Sequence, residues 1–314
     1  MAVILADLKM TIESNSYIDA MHAVLTRKRW FSFPKPMLAG MTASAFRFTV
    51  SRRLTAESPV AYNWIAENFL AADFIGVAAW SGAGFYFDAT FPLYKRDAIA
   101  QIKGAIDGGI GAILWNNRFV IAAGYDDERE ALWISNGEAD ELVLLPYVDF
   151  GRNASPYWYY QVFENRIALD HLEICRESLM QAVHKWETHD PMLPEADYAC
   201  GRSAYDAILA ALHSGDYDRS GISAVIRSYA AAKRDISRYF AALETYWPEL
   251  RTAVEHYKSL EAAFDEAERL AGSADQQLIP LFAAARQSEE MAIATIKTFM
   301  RETIDIRRHD IALR

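Results

Sequence analysis

Three apolar runs stand close together between Ile113 and Asn136, in ILWNNRFVIAAGYDDEREALWISN. Ala112 to Trp115, Phe119 to Ala123 and Ala131 to Ile134 are each too short for a helix and bounded by turn residues, which is the pattern of buried strands. Gly124 to Arg129 is rich in Gly and Asp, whose backbone and side-chain preferences favour reversal, so the last two runs are expected to pair as an antiparallel hairpin. Gly137 opens another turn before Glu141 to Leu145, and a three- or four-stranded antiparallel sheet follows. A chain with such a sheet at its middle must find helices to cover it.

The flanking segments supply them. Upstream, the patterning predicts a strand near Val3 to Leu5, a helix from Tyr17 to Thr26 and an extended piece at Ala45 to Val50. It then predicts a helix starting at Ser58-Pro59, a cap followed by a first-turn proline, and running through Tyr62, Ile65, Ala66 and Phe69. Phe74 to Trp80 reads as a strand. Arg96 to Ile106 reads as a helix ended by Gly108-Gly109. Beyond Asp149, Gly151, Asn153, Ser155 and Pro156 resemble a linker, and all that follows reads as helix: Tyr157 to Trp186, Ala196 to His213, Ile222 to Trp247, Pro248 to Ala271 and Asp275 to Arg307. Pro248 enforces the break after Trp247. The expectation is an α+β domain over residues 1–150 and a helical domain over residues 151–314.

Composition removes several functions. The formal net charge of −10, without a basic tract, gives nucleic-acid binding no electrostatic support. Cys175 and Cys200 are the only cysteines, too few for a disulfide framework, which favours a reducing cytoplasm. MAVILADLKM lacks the basic start and long apolar middle of a secretory signal, and no window approaches the roughly 18 to 20 apolar residues that span a bilayer. The expected protein is cytoplasmic, with no membrane partner, no metal and no cofactor. His171 and Cys175 are spaced i, i+4, but His184 and His189 are out of register with them and no Cys-x-x-Cys exists, so structural zinc is disfavoured. Stripes such as Ile293, Ile296, Met300 and Ile304 read as core or dimer surface.

The order helix, strand, helix, strand, helix, hairpin, then helices, resembles the N-terminal domain family of butirosin biosynthesis protein H, and through it the bacteriocin-processing, papain-like peptidases. SYIDAMHAVL at 16–25, AGMTASAFRF at 39–48, SPVAYNW at 58–64 and ILWNNRFVIAAGYDDE at 113–128 carry the resemblance, which covers the first 150 residues. It implies a papain-like fold with a nucleophile at the start of the first helix, a base before the strand FVIAAGYDD and an orienting residue after the next strand. Those positions hold Ser16, Arg118 and Asn136. The departures are large: no cysteine occurs before Cys175, and a guanidinium cannot act as a base near neutral pH. His22 lies six residues beyond Ser16, about 120° around an ideal helix, which disfavours a direct hydrogen bond.

Each of these residues also has a plainer reading. Ser16 suits a helix N-cap, Arg118 a strand-edge charge or a clamp for an anion, and Asn136-Gly137 a turn. Asp126 and Asp127 suit the hairpin turn, or a cation or amine. Arg47, between Phe46 and Phe48, is expected to point away from both rings and to line a cleft or pair with a carboxylate. Trp80, Phe85, Tyr86, Phe87 and Phe91 form an aromatic group around a Gly-Ala-Gly turn, fit for core or for an apolar ligand. Three readings of function follow: a catalytically degenerate binder of a small molecule or of an acyl or peptidyl group in a biosynthetic pathway; an acyltransferase or amide hydrolase using Ser16 on a carrier-protein thioester; or a structural homodimer built by the helical half.

Overall fold

A computed structural model describes residues 2–272 and 275–312, with side chains through Arg301 apart from Asp275. Asp275, the expected start of the last helix, and the stripe position Ile304 lie outside the described side chains. The chain divides into two compact units, one comprising residues 1–38 and 63–169, the other 39–62 and 170–314. The expected division at residue 150 differs on two counts. A strand after residue 150 belongs to the sheet, and residues 39–62 belong with the helices.

The first unit is built on a seven-stranded antiparallel sheet, larger than the three or four strands expected. Its strands are β1 (Ala2–Ile4), β3 (Val77–Phe85), β4 (Ala112–Trp115), β5 (Phe119–Asp126), β6 (Ala131–Ser135), β7 (Val143–Pro146) and β8 (Tyr157–Arg166). The order is β3-β8-β4-β5-β6-β7, with β1 pairing the far end of β5. The 112–146 meander is where the sequence puts it, although Gly124 and Tyr125 continue β5 instead of turning. β5 is buried along its whole length because it has neighbours on both edges.

β8 is the main departure, since Tyr157–Arg166 was expected to be helical. YWYYQVFENR is rich in aromatic residues that favour strands, and its inner residues are buried on both faces. Such a strand lacks the apolar-polar alternation by which a half-exposed one is recognised. Wedged between β3 and β4, it brings Trp158, Tyr160 and Val162 to one face and Tyr159, Gln161 and Phe163 to the other.

The helices of this unit cover both faces. α4 (Phe91–Asp107) lays Phe91, Ala98, Ile102 and Ile106 on Ala112, Leu114, Val120, Ala122, Trp158 and Val162. Gly109, at φ +72°, reverses the chain behind it, a conformation that suits glycine. The opposite face carries α1 (Ser16–Arg27) and α3 (Trp64–Phe74), with Tyr17 against Phe119 and Trp64 against Trp115. α3 starts at Trp64, capped by Asn63, and not at Ser58. Ser58 heads only one 3-10 turn, because its hydroxyl accepts from Ser51 N (3.0 Å) and donates to Thr55 O (2.6 Å). The strand expected at Phe74 to Trp80 begins three residues later, at Val77.

The second unit is helical, with a two-stranded ribbon of β2 (Thr49–Ser51) and β9 (Tyr198–Cys200). A short helix α2 (Lys35–Met41) precedes its first segment. Its long helices are α5 (His171–Glu187), α6 (Arg202–Ser214), α7 (Gly221–Leu243), α8 (Arg251–Leu270) and α9 (Leu278–Ala312). Phe46 and Phe48 anchor the inserted segment: Phe46 meets Tyr239 and Phe240, and Phe48 meets Tyr205, Tyr229 and Phe264. Beside Phe48 lies a buried ion pair in which Lys233, 0% exposed, donates to both carboxylate oxygens of Glu289 (2.7 and 2.9 Å). Tyr205 donates its hydroxyl to the same carboxylate at 2.5 Å. Burial pushes the Tyr205 hydroxyl well above its usual pKa, so it stays a donor. Among the described residues, no helix is long and apolar enough to cross a membrane.

A buried pair loses most when one partner is removed, because the other is stranded. Lys233→Met is expected to destabilise the chain by about 3 to 5 kcal/mol in urea unfolding. Lys233→Met with Glu289→Leu and Tyr205→Phe is expected to restore most of that loss. Equal losses in the two variants would refute this account.

Candidate functional site

The first turn of α1 is organised by three side chains before it meets the sheet. Asn15 is the N-cap, its Oδ1 accepting from Ile18 N (3.0 Å), so Ser16 is the first helical residue and its hydroxyl is not needed for capping. Asp19 accepts from the amides of Glu13 (3.2 Å) and Ser14 (3.1 Å) and pairs with Lys35 at 2.9 Å. Burial pushes the Asp19 carboxyl up, opposing the stabilisation by Lys35 and the two amides. Lys35 also donates to Thr11 O (3.0 Å), which ties the approach segment to α1.

Ser16 then spends its oxygen on β5: Phe119 N donates to Ser16 Oγ at 3.2 Å. The helix start is thereby joined to the residue after Arg118. Arg118 itself donates to Glu138 Oε1 at 3.0 Å. Glu138 N (3.0 Å) and Ala139 N (3.3 Å) donate in turn to Asn136 Oδ1, which makes Asn136 the head of a turn. Gly137, at φ +78°, lies so close to Ile12 that a Cβ would stand 2.7 Å from its side chain, so this turn favours glycine. Ser16, Arg118 and Asn136 therefore lie along one connected rim, joined through Phe119 and Glu138.

His22 faces elsewhere. Its Nε2 lies 3.0 Å from Phe33 O and its ring meets Phe31 edge-on. Burial holds the imidazole below its ordinary value of 6.5, with Lys35 acting in the same direction and Phe33 O, Glu13 and Asp19 opposing it. It is the sole histidine in the sheet-bearing unit.

Beside the rim, aromatic rings run from the interior to the surface. Phe119, 1% exposed, packs on Trp115 at 5.1 Å, and Trp115 packs on Trp64 at 4.6 Å. Trp64 meets Tyr157 at 5.8 Å, Tyr157 meets Phe85 at 5.1 Å, and Phe85 stacks on Phe87 at 5.1 Å. Exposure rises to 45% at Tyr157 and 65% at Phe87. Trp115 Nε1 donates to Asn153 Oδ1 (3.1 Å) and Ser155 Oγ (2.9 Å), and Ala154 N donates to Asn117 Oδ1 (2.8 Å), so the 153–155 loop is braced over the β4–β5 turn.

The aromatic group expected around the Gly-Ala-Gly turn is split by strand alternation. Phe85, Tyr86 and Phe87 stay together. Phe91 is core under α4, and Trp80 lies on the α4 face with Gly82 and Gly84. Trp64, Trp115 and Tyr157 were not among the residues singled out from the sequence. They come from three separate elements, and Tyr157 stood in a segment read as helix, so no local pattern could join them. Asp126 ends β5, accepting from Glu128 N (3.1 Å) and pairing with Arg129 (3.5 Å), while Asp127 is held by Lys103 (2.6 Å) and Tyr147 (3.1 Å). Arg47 belongs to the helical unit, its guanidinium 3.4 Å from the Tyr62 ring centroid. Among the described residues, no group of three or more His, Cys, Asp or Glu is arranged to hold a metal ion.

Because the folded chain favours neutral His22, its contribution to stability is fully present above the ordinary value of 6.5 and is lost as pH falls from there through the lower value of the folded state. The melting temperature of the full chain is expected to fall between about pH 7.5 and pH 5, and His22→Phe is expected to flatten part of that slope. An unchanged slope in the variant would refute the assignment. No protein-family model matches this chain, and no curated protein matches its sequence.

Proposed function

We propose that the sheet-bearing unit is a papain-like domain, akin to the N-terminal domains of butirosin biosynthesis protein H, that binds an acyl or peptidyl group, or another small apolar ligand, without acyl-transfer chemistry. The observation that carries this reading is the engagement of Ser16. Its oxygen accepts from Phe119 N, the neighbouring Arg118 is ion-paired with Glu138, and His22 is held against Phe33 O. A serine hydroxyl needs an adjacent base to become a nucleophile, and a guanidinium cannot take its proton near neutral pH. The half-exposed rings of Phe85, Phe87 and Tyr157 support the binding half of the proposal, since aromatic faces offer large apolar area at little entropic cost. A biosynthetic pathway using carrier-linked acyl groups is the setting that this reading proposes.

Octanoyl-pantetheine and a dipeptidyl-pantetheine thioester serve as probes on the full chain, read by thermal melting, intact mass and thiol release. A concentration-dependent rise in melting temperature with at least one probe, no adduct and no released thiol is expected, and Ser16→Ala is expected to bind as the parent does. At a probe concentration near 100 times Kd, the stabilisation amounts to about 2.7 kcal/mol. Tyr157→Ala and Phe85→Ala should each weaken binding by about tenfold, the equivalent of about 1.4 kcal/mol. A stoichiometric adduct or thiol release that disappears in Ser16→Ala would replace this proposal with the acyltransferase reading. Absence of any melting shift with either probe would remove it.

A further inference from the structure

The outer strand of the sheet carries a second surface, which shares only Phe85 with the binding reading above. β3 pairs with β8 on one side, and among the described residues no strand pairs with its other side. Its sequence, VAAWSGAGF, has neither a charge nor a proline, two of the devices by which sheet edges avoid pairing with other chains. One irregularity, at Ala78/Ala79, lies near its start, and the register from Ala79 to Phe85 is regular.

The register fixes which backbone groups face outward. Tyr86 N donates to Pro156 O (3.0 Å), in phase with the pairs Gly84↔Trp158 and Gly82↔Tyr160. Even-numbered residues therefore turn their amide and carbonyl toward β8, and Ala79, Ser81 and Ala83 turn theirs outward. Such a row, repeating at every second residue, is complementary to one kind of ligand, another extended chain.

The side chains narrow the partner. Trp80, Gly82 and Gly84 share a face, and Trp80 is 65% exposed. From β8, Tyr160 and Trp158 already lie against the two glycines, 2.7 and 3.0 Å from where a Cβ would stand. An aromatic ring opposite a strand glycine is a known stabilising pair. If two β3 strands pair antiparallel about Ser81, Trp80 of each stands opposite the partner's Gly82, in the close, non-hydrogen-bonded type of pair. The match is reciprocal, as a two-fold contact requires. β3 itself sets no like charges opposite each other, although the chain as a whole carries −10. Trp80 belongs to a residue class that hides about 150 to 250 Å² when buried.

We propose that the partner of this edge is a second copy of the chain, its β3 added antiparallel about Ser81 so that one sheet runs through both copies. Ser81 pairs with the partner's Ser81, Ala79 with the partner's Ala83, and Ala83 with the partner's Ala79. This contact lies on the sheet, not on the helical half.

Sedimentation of the full chain over a concentration series tests the proposal, with circular dichroism as the control for folding. Wild type is expected to pass from monomer to dimer. Ala79→Lys with Ala83→Lys sets like charges opposite each other twice and should raise the dimer dissociation constant by about tenfold or more. Ala79→Glu with Ala83→Lys sets opposite charges across the same two pairs and should retain the dimer. Ser81→Cys should give a covalent dimer under mild oxidation with diamide, because a hydrogen-bonded antiparallel pair has Cα atoms about 5.5 Å apart, within disulfide reach. Cys175 and Cys200 are buried and do not compete. Where a charge variant fails to fold, the Ser81→Cys cross-link decides. A monomeric wild type at every concentration, a dimer indifferent to the two lysines, equal weakening by both charge variants, or no cross-link at Ser81 would overturn the proposal.

Discussion

Backbone pairing along β5 is the constraint on which the sheet-bearing unit depends. Eight consecutive residues from Phe119 to Asp126 are buried, so their amides and carbonyls must be paired within the protein. β4 and β1 share one edge of the strand and β6 takes the other. Its first amide is satisfied by a side chain, the Ser16 hydroxyl. The need to pair that amide at a strand start is thus what brings the helix N-terminus to the rim where Arg118, Glu138 and Asn136 are linked.

The same need runs through the hydrogen bonds of the rim. Each of its three residues has a partner: Ser16 Oγ accepts from Phe119 N, Arg118 donates to Glu138, and Asn136 Oδ1 accepts from two amides of its own turn. Groups so engaged hold a shape better than they move protons. The neighbouring rings are arranged in the opposite sense, buried at Phe119 and Trp115 and exposed at Tyr157, Phe85 and Phe87, and they leave apolar area in contact with water. Fixed polar contacts beside uncovered aromatic rings are the two features on which the proposed binding role rests.

Much of the chain could be read locally. The β4 to β7 meander, the end of α4 at Gly108-Gly109 and the break before Pro248 were legible because each depends on a few adjacent residues: apolar runs, a glycine reversal, a missing amide. The 45–50 segment was expected to be extended, but Ser44–Phe46 forms a 3-10 turn and only Thr49–Ser51 is a strand; Phe46 and Phe48 pack on rings of the helical unit while Arg47 stacks on Tyr62. Ser58-Pro59 misled because its hydroxyl serves a turn seven residues back instead of a helix ahead. Tyr157–Arg166 misled because burial on both faces erases alternation.

The sequence by itself determined an acidic chain with a central antiparallel meander, helices toward its C-terminus and no basic tract, all consequences of composition and short-range periodicity. Only the tertiary structure decided that β8 enters between β3 and β4, that residues 39–62 join the helical unit, and that Trp64, Trp115, Tyr157 and Phe85 form one run of rings. Those outcomes depend on pairings between residues tens of positions apart. Strand pairing is settled by which buried edge still lacks a partner, and no local stretch of sequence encodes that information.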